Sequence, residues 1–220
     1  QLLYPSVIIQ KIIKPVLPLL ERISPTRHHS TAAHKTSLQS VETDDASILF
    51  RYLDGFFLYG FIMCWSDDDL FPWFDPQQRN MAERDFNWLS RMWSKKLYKS
   101  QKKYYFGKLF SVSANMPSFQ NYFPDGKVLY MVRNPLEVIP SGLSLITGVL
   151  DKKFGFWNLP ESVRNRYLSR LYHALKELLL RFHADWTSGA IDKSKVKVVT
   201  FNRLMGDFDN LMFEILEFLE

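Results

Sequence analysis

Three short β-rich segments set the tightest limit on what this chain can fold into: KYYFGKLF (103–110), KVLYMV (127–132) and KVKVVTF (195–201). Helical patterns separate and follow them, at roughly 135–149, 160–186 and 206–219. In the second of these, Leu168, Leu171, Leu175, Leu178, Leu179 and Phe182 recur at helical spacing and predict a buried stripe. Strands alternating with helices need crossover connections. The pattern therefore predicts a helix-rich α/β domain with a mainly parallel sheet. Upstream, Met81, Phe86, Leu89, Met92, Trp93 and Leu97 predict an amphipathic helix over 77–103. The stretch 46–63 is apolar nearly all round and predicts a buried helix, capped by Thr43 or Asp44.

At 220 residues the chain fits one domain over 1–220, and its 46% hydrophobic and 15% aromatic content rules out a disordered polar tail. The net charge of +5 suggests an anionic partner. Cys64 is the only cysteine, so no intrachain disulfide forms, and a reducing, cytoplasmic setting is expected. Lysines and prolines interrupt the apolar opening QLLYPSVIIQKIIKPVLPLL, which therefore reads as a packed segment rather than a span. A peripheral membrane contact through this segment, with snorkelling lysines, is the other reading. Asp67, Asp68 and Asp69 read as a solvated turn, and no metal site is expected. Lys95, Lys96, Lys99, Lys102 and Lys103 gather at a helix end without a nucleic-acid motif, so no nucleic-acid partner is expected. The chain opens on Gln1 rather than Met and is expected to be truncated at both ends.

Chemistry concentrates at the end of the second β-rich segment, in YMVRNPLEVIPSGLSL (130–145). Ligands of parallel α/β sheets sit beyond the carboxyl ends of strands, which is where Arg133 stands. Asn134-Pro135 turns the chain, and proline at the first helical position is preset for a helix start. The free amides of that start are expected to face an anion. Pro140 lacks the donor for the carbonyl of Leu136, so a kink or restart is expected there, with Ser141 at a fresh helix start. A guanidinium fork and a short hydroxyl would then make a phosphate clamp. The plainer reading is an ordinary arginine after a strand and an ordinary helical serine.

Strand, Arg-Asn-Pro, then a serine eight positions after the arginine resembles the 3′-phosphate motif of sulfotransferases that use 3′-phosphoadenosine 5′-phosphosulfate (PAPS). NYFPDGKVLYMVRNPLEVIPSGLSL is similar to the central block of the family's carbohydrate- and lipid-acting branch. KVKVVTFNRLMGDFDNLMFEILEFL and HKTSLQSVETDDASILF resemble flanking segments, so the likeness spans most of residues 34–219. The resemblance implies a P-loop-NTPase-like three-layer sandwich. It implies sulfuryl transfer from PAPS, without a metal, to a hydroxyl of a small-molecule, lipid or glycan acceptor. Arg133 and Ser141 would hold the 3′-phosphate, and Phe201 would border the adenine. Lys108 would stand near the sulfuryl group, where a cation stabilises charge on the departing bridging oxygen. Its other reading is a strand-edge lysine in water. His34, with His28 and His29 behind it, is the candidate general base for the acceptor hydroxyl. Two departures stand out. Asn202 and Arg203 replace the family's acidic pair, and residues 1–33 contain no glycine for the loop that holds the 5′-phosphosulfate. That loop is expected upstream of Gln1. A non-catalytic nucleotide-binding relative, or a membrane-surface interaction protein, are the alternative functions.

Overall fold

The structure is a computed structural model that describes Lys11, residues 13–23 and residues 51–220. His28, His29 and His34 lie outside the described residues, as do Thr43, Asp44 and the first part of the apolar stretch at 46–63.

Two strands form the sheet among the described residues: β1 (Val128–Val132) and β2 (Val196–Thr200). They are parallel, in a register running from Val128 opposite Val196 to Val132 opposite Thr200. Two long helices make the crossover between them. These are α5 (Pro135–Phe154) and α6 (Glu161–Ser188). Before β1 come α1 (Leu17–Ile23), α2 (Gly55–Phe61), α3 (Ala82–Ser100) and α4 (Met116–Tyr122). After β2 come α7 (Phe201–Gly206) and α8 (Phe208–Leu219). No helix among the described residues is long and apolar enough to cross a membrane.

The third expected strand, 103–110, does not form. Residues 103–109 are irregular, and a 3₁₀ turn over Phe110–Asn115 follows. The segment alternates in exposure as a strand would, with Tyr104 and Phe106 outward, yet no neighbouring strand pairs with it among the described residues. β-propensity describes a fit to a pleated neighbour and cannot supply the neighbour.

The α6 helix is the spine of the core. Its Tyr167, Leu171, Leu175 and Leu178 pack with Phe56 and Tyr59 of α2 and with Ile146 and Leu150 of α5. One turn beyond, its Phe182 joins Phe86 and Leu89 of α3, Met116 and Phe119 of α4, and Val196 of β2. Tyr130 of β1 stacks on Phe182, which seats the sheet on the helix. On the other face Val199 packs under Leu211 and Ile215 of α8. The close approach of α5 to α6 depends on Gly142, where an added Cβ would lie 3.1 Å from Leu175 Cδ1.

Two buried carboxylates tie the loops to this frame. Asp75 accepts hydrogen bonds from the Gln77 amide (3.0 Å), Gln78 Nε2 (2.9 Å) and Arg181 of α6 (3.1 Å). Asp54, 5% exposed, takes Arg79 at 2.7 Å and both terminal nitrogens of Arg84 at 2.9 and 3.0 Å. Two of the three consecutive aspartates in the 66–80 turn have protein partners as well. Asp69 accepts from the Tyr59 hydroxyl (2.9 Å) and the Phe71 amide (3.0 Å), while Asp67 pairs with Arg166.

Candidate functional site

The parallel register decides which residues meet at the carboxyl edge of the sheet. Val132 and Thr200 are the last pair, so Arg133 and Phe201 leave the sheet side by side. The Arg133 guanidinium carbon lies 4.6 Å from the centre of the Phe201 ring, in cation–π contact. Its Nε donates to Glu137 Oε2 at 2.7 Å.

Asn134 caps the helix that follows. Its side-chain oxygen accepts from the Leu136 amide at 3.0 Å. Its carbonyl accepts from the amides of Glu137 (2.9 Å) and Val138 (3.0 Å). Pro135 has no amide to offer. The expected row of free amides is therefore absent at residues 136–138, because the cap has already satisfied them. The expected restart at Pro140 is absent too: α5 runs through it as one helix to Phe154. Only the Leu136 carbonyl loses its donor, and Leu136 is 82% exposed, so water can satisfy that oxygen. Ser141 consequently sits inside the helix, not at a fresh start, and is exposed. Glu137 and Ser141 are four residues apart and share one helix face.

Beyond β2, Arg203 is committed elsewhere. It bonds Asp207 (3.0 Å) and Glu214 (2.8 Å), and Lys197 of β2 reaches Glu214 at 3.1 Å. The Arg203 hydrogen bond, followed by that from Lys197, holds the Glu214 carboxyl down to about 2. The basic residue that replaces an expected acidic one therefore fastens α7 to α8. Lys108 is exposed, and lies on the irregular segment instead of a strand. The structure thus brings Arg133, Phe201 and the start of the Ser141 helix to one edge. His34 lies outside the described residues.

A small cavity of about 100 Å³, which the sequence did not locate, has Ser111 in its wall, three residues along the chain from Lys108. Phe57, Trp73 and Phe74 give it aromatic sides, and Asp54, Arg79, Arg84, Asp85 and Asn115 give it charged and polar ones. Burial pushes the Asp85 carboxyl up, against the opposing pull of its hydrogen bond from Arg84. The walls come from four separate stretches of chain. The aromatic richness of residues 52–74 was the only signal in the sequence, and core packing accounts for most of it.

A family model described as "Sulfotransferase family" matches residues 65–220. No curated protein and no solved structure matches the chain.

Proposed function

The chain belongs to the sulfotransferase family, and from that premise we propose that it transfers a sulfuryl group from PAPS to a hydroxyl of a carbohydrate or lipid acceptor. Arg133 and Ser141 bind the 3′-phosphate of the donor, and the Phe201 ring borders its adenine. The donor set suits the group. A planar cation offers a bidentate fork to phosphate, a serine adds a short hydroxyl bond, and an aromatic face accepts a purine. The observation that carries the reading is the stack of Arg133 on Phe201 beyond the ends of two parallel strands.

PAPS, when bound, supplies a sulfuryl group whose bond to the 5′-phosphate breaks as the acceptor oxygen bonds to sulfur. Lys108 holds positive charge near the bridging oxygen on which electrons collect. A base takes the acceptor's proton, and His34 is the residue proposed for it. The cavity beside Ser111, walled by both aromatic and charged side chains, is wide enough for a hydroxymethyl arm or one ring edge of an acceptor. The three-layer, P-loop-like sandwich belongs to this proposal as well.

Calorimetric titration with adenosine 3′,5′-bisphosphate tests the reading. The chain is expected to bind it more tightly than adenosine 5′-monophosphate. Arg133→Ala should lose about 2–5 kcal/mol of that binding, as when one partner of a desolvated charge pair is removed. Equal affinity of the parent and Arg133→Ala proteins for the bisphosphate would refute it. Tight binding with no sulfuryl transfer from PAPS to any offered hydroxyl would identify a non-catalytic relative instead.

A further inference from the structure

We infer that Glu137 is the positioning residue for Arg133: it grips the guanidinium by its Nε edge and leaves the fork of two terminal nitrogens facing outward for a phosphate. The inference rests on the function proposed above.

A guanidinium carries five N–H donors in a rigid plane, so fixing one edge and one face fixes the direction of the remaining edge. The edge is fixed by a single bond, Nε to Glu137 Oε2 at 2.7 Å. The face is fixed by the Phe201 ring, with 4.6 Å from guanidinium carbon to ring centre. Arg133 has no other hydrogen-bond partner among the described residues, so both terminal nitrogens remain for a ligand.

The backbone of Glu137 is fixed independently of Arg133. It stands in the first turn of the 20-residue α5, where the helix dipole favours a carboxylate. Its own amide is bonded to the Asn134 carbonyl at 2.9 Å. An arginine at a strand end would otherwise sample many rotamers and lose that freedom on binding. Ser141 stands one turn beyond Glu137 on the same helix face.

The rival role for Glu137 is a competitor that occupies Arg133 and must be expelled by phosphate. The two roles give opposite signs. Removing a negative charge beside the phosphate site helps phosphate by simple electrostatics. A loss of affinity on Glu137→Gln therefore runs against charge and reports orientation. Calorimetry on the full chain is expected to show bisphosphate affinity falling about tenfold in Glu137→Gln, within the range of coupled neighbours. Glu137→Asp should recover part of the loss. Affinity for adenosine 5′-monophosphate should change by less than about twofold, which also checks that the variant folds. In an Arg133→Ala background Glu137→Gln should cost nothing further. Unchanged or tighter bisphosphate binding by Glu137→Gln, with the parent still preferring bisphosphate over monophosphate, overturns the positioning role alone. A parent that binds both nucleotides equally overturns the proposed function and the positioning role with it.

Discussion

Asp54→Asn is expected to destabilise the protein by about 2–3 kcal/mol, while the chemically similar change Asp67→Asn should leave stability unaltered. The Asp54 side chain is 4% exposed and lies between Arg79, 32% exposed, and Arg84, 23% exposed. An asparagine of the same shape turns one acceptor oxygen into an NH₂ donor that faces guanidinium donors. Breaking a buried pair from one side costs about 3–5 kcal/mol, because the surviving charge is stranded. Two features reduce that figure here. Both arginines keep partial access to water, and each retains other support: Arg84 holds Asp85 at 2.7 Å, and Arg79 lies 4.5 Å over Trp73. Asp67, by contrast, is 96% exposed in its pair with Arg166, so water replaces the partner. Urea unfolding followed by circular dichroism measures both changes, and the Asp54 variant should melt roughly 4–12 °C lower, at about 2–4 °C per kcal/mol for a chain of this size. Equal effects of the two substitutions, or a loss at Asp54 below about 0.5 kcal/mol, would refute the claim that burial decides the worth of these pairs.

Lys108→Ala is expected to slow single-turnover transfer by on the order of a hundredfold while bisphosphate affinity changes little, because the role proposed for its charge is at the departing oxygen. An unchanged single-turnover rate would remove Lys108 from the reaction. Acid should unfold the protein through two carboxylates held below their ordinary range. Burial pushes Asp75 up, but the hydrogen bonds from Gln78, the Gln77 amide and Arg181 outweigh it and bring its pKa down. Glu214 sits at about 2 because of Arg203 and Lys197. A depressed folded-state pKa gives stability that is complete above the ordinary carboxylate range and is lost as pH falls through the folded value. Midpoints in urea should therefore drop steeply between about pH 4 and pH 2, and Asp75→Asn should flatten the drop. A profile that Asp75→Asn leaves unchanged would show that Asp75 does not contribute to it.

The features that were legible in the sequence are those determined within one element. The β-rich composition of KVLYMV and KVKVVTF sufficed for β1 and β2, and the leucine spacing sufficed for the face of α6. The failures each involve a second group. KYYFGKLF has a strand's composition, but pairing requires another strand's edge, which composition does not report. The free amides expected after Arg133 were consumed by Asn134, a residue that serves a turn and a cap equally well on paper. The Pro140 restart was expected from the lost hydrogen bond alone. Whether that loss matters depends on the exposure of the orphaned Leu136 carbonyl, and in water it is mild.

The same reasoning explains why the edge that joins Arg133 to Phe201 was only half readable. Each residue follows its strand in sequence, so each was expected near the carboxyl edge of a sheet. Their contact needs more: β1 and β2 must be direct neighbours, parallel, and paired so that Val132 faces Thr200. A slip of one residue would turn every side chain of one strand to the opposite face and carry Phe201 away from the guanidinium. Burial pins the register against such a slip. Val196 and Val199 are buried on separate clusters, one toward α3 and α4 and the other under α8, while Tyr130 is stacked on Phe182. Moving β2 by one position would put Lys197 into the first cluster in place of Val196 and break its bond to Glu214. The packing of Val196, Val199 and Tyr130 thus sets where the arginine and its aromatic partner meet.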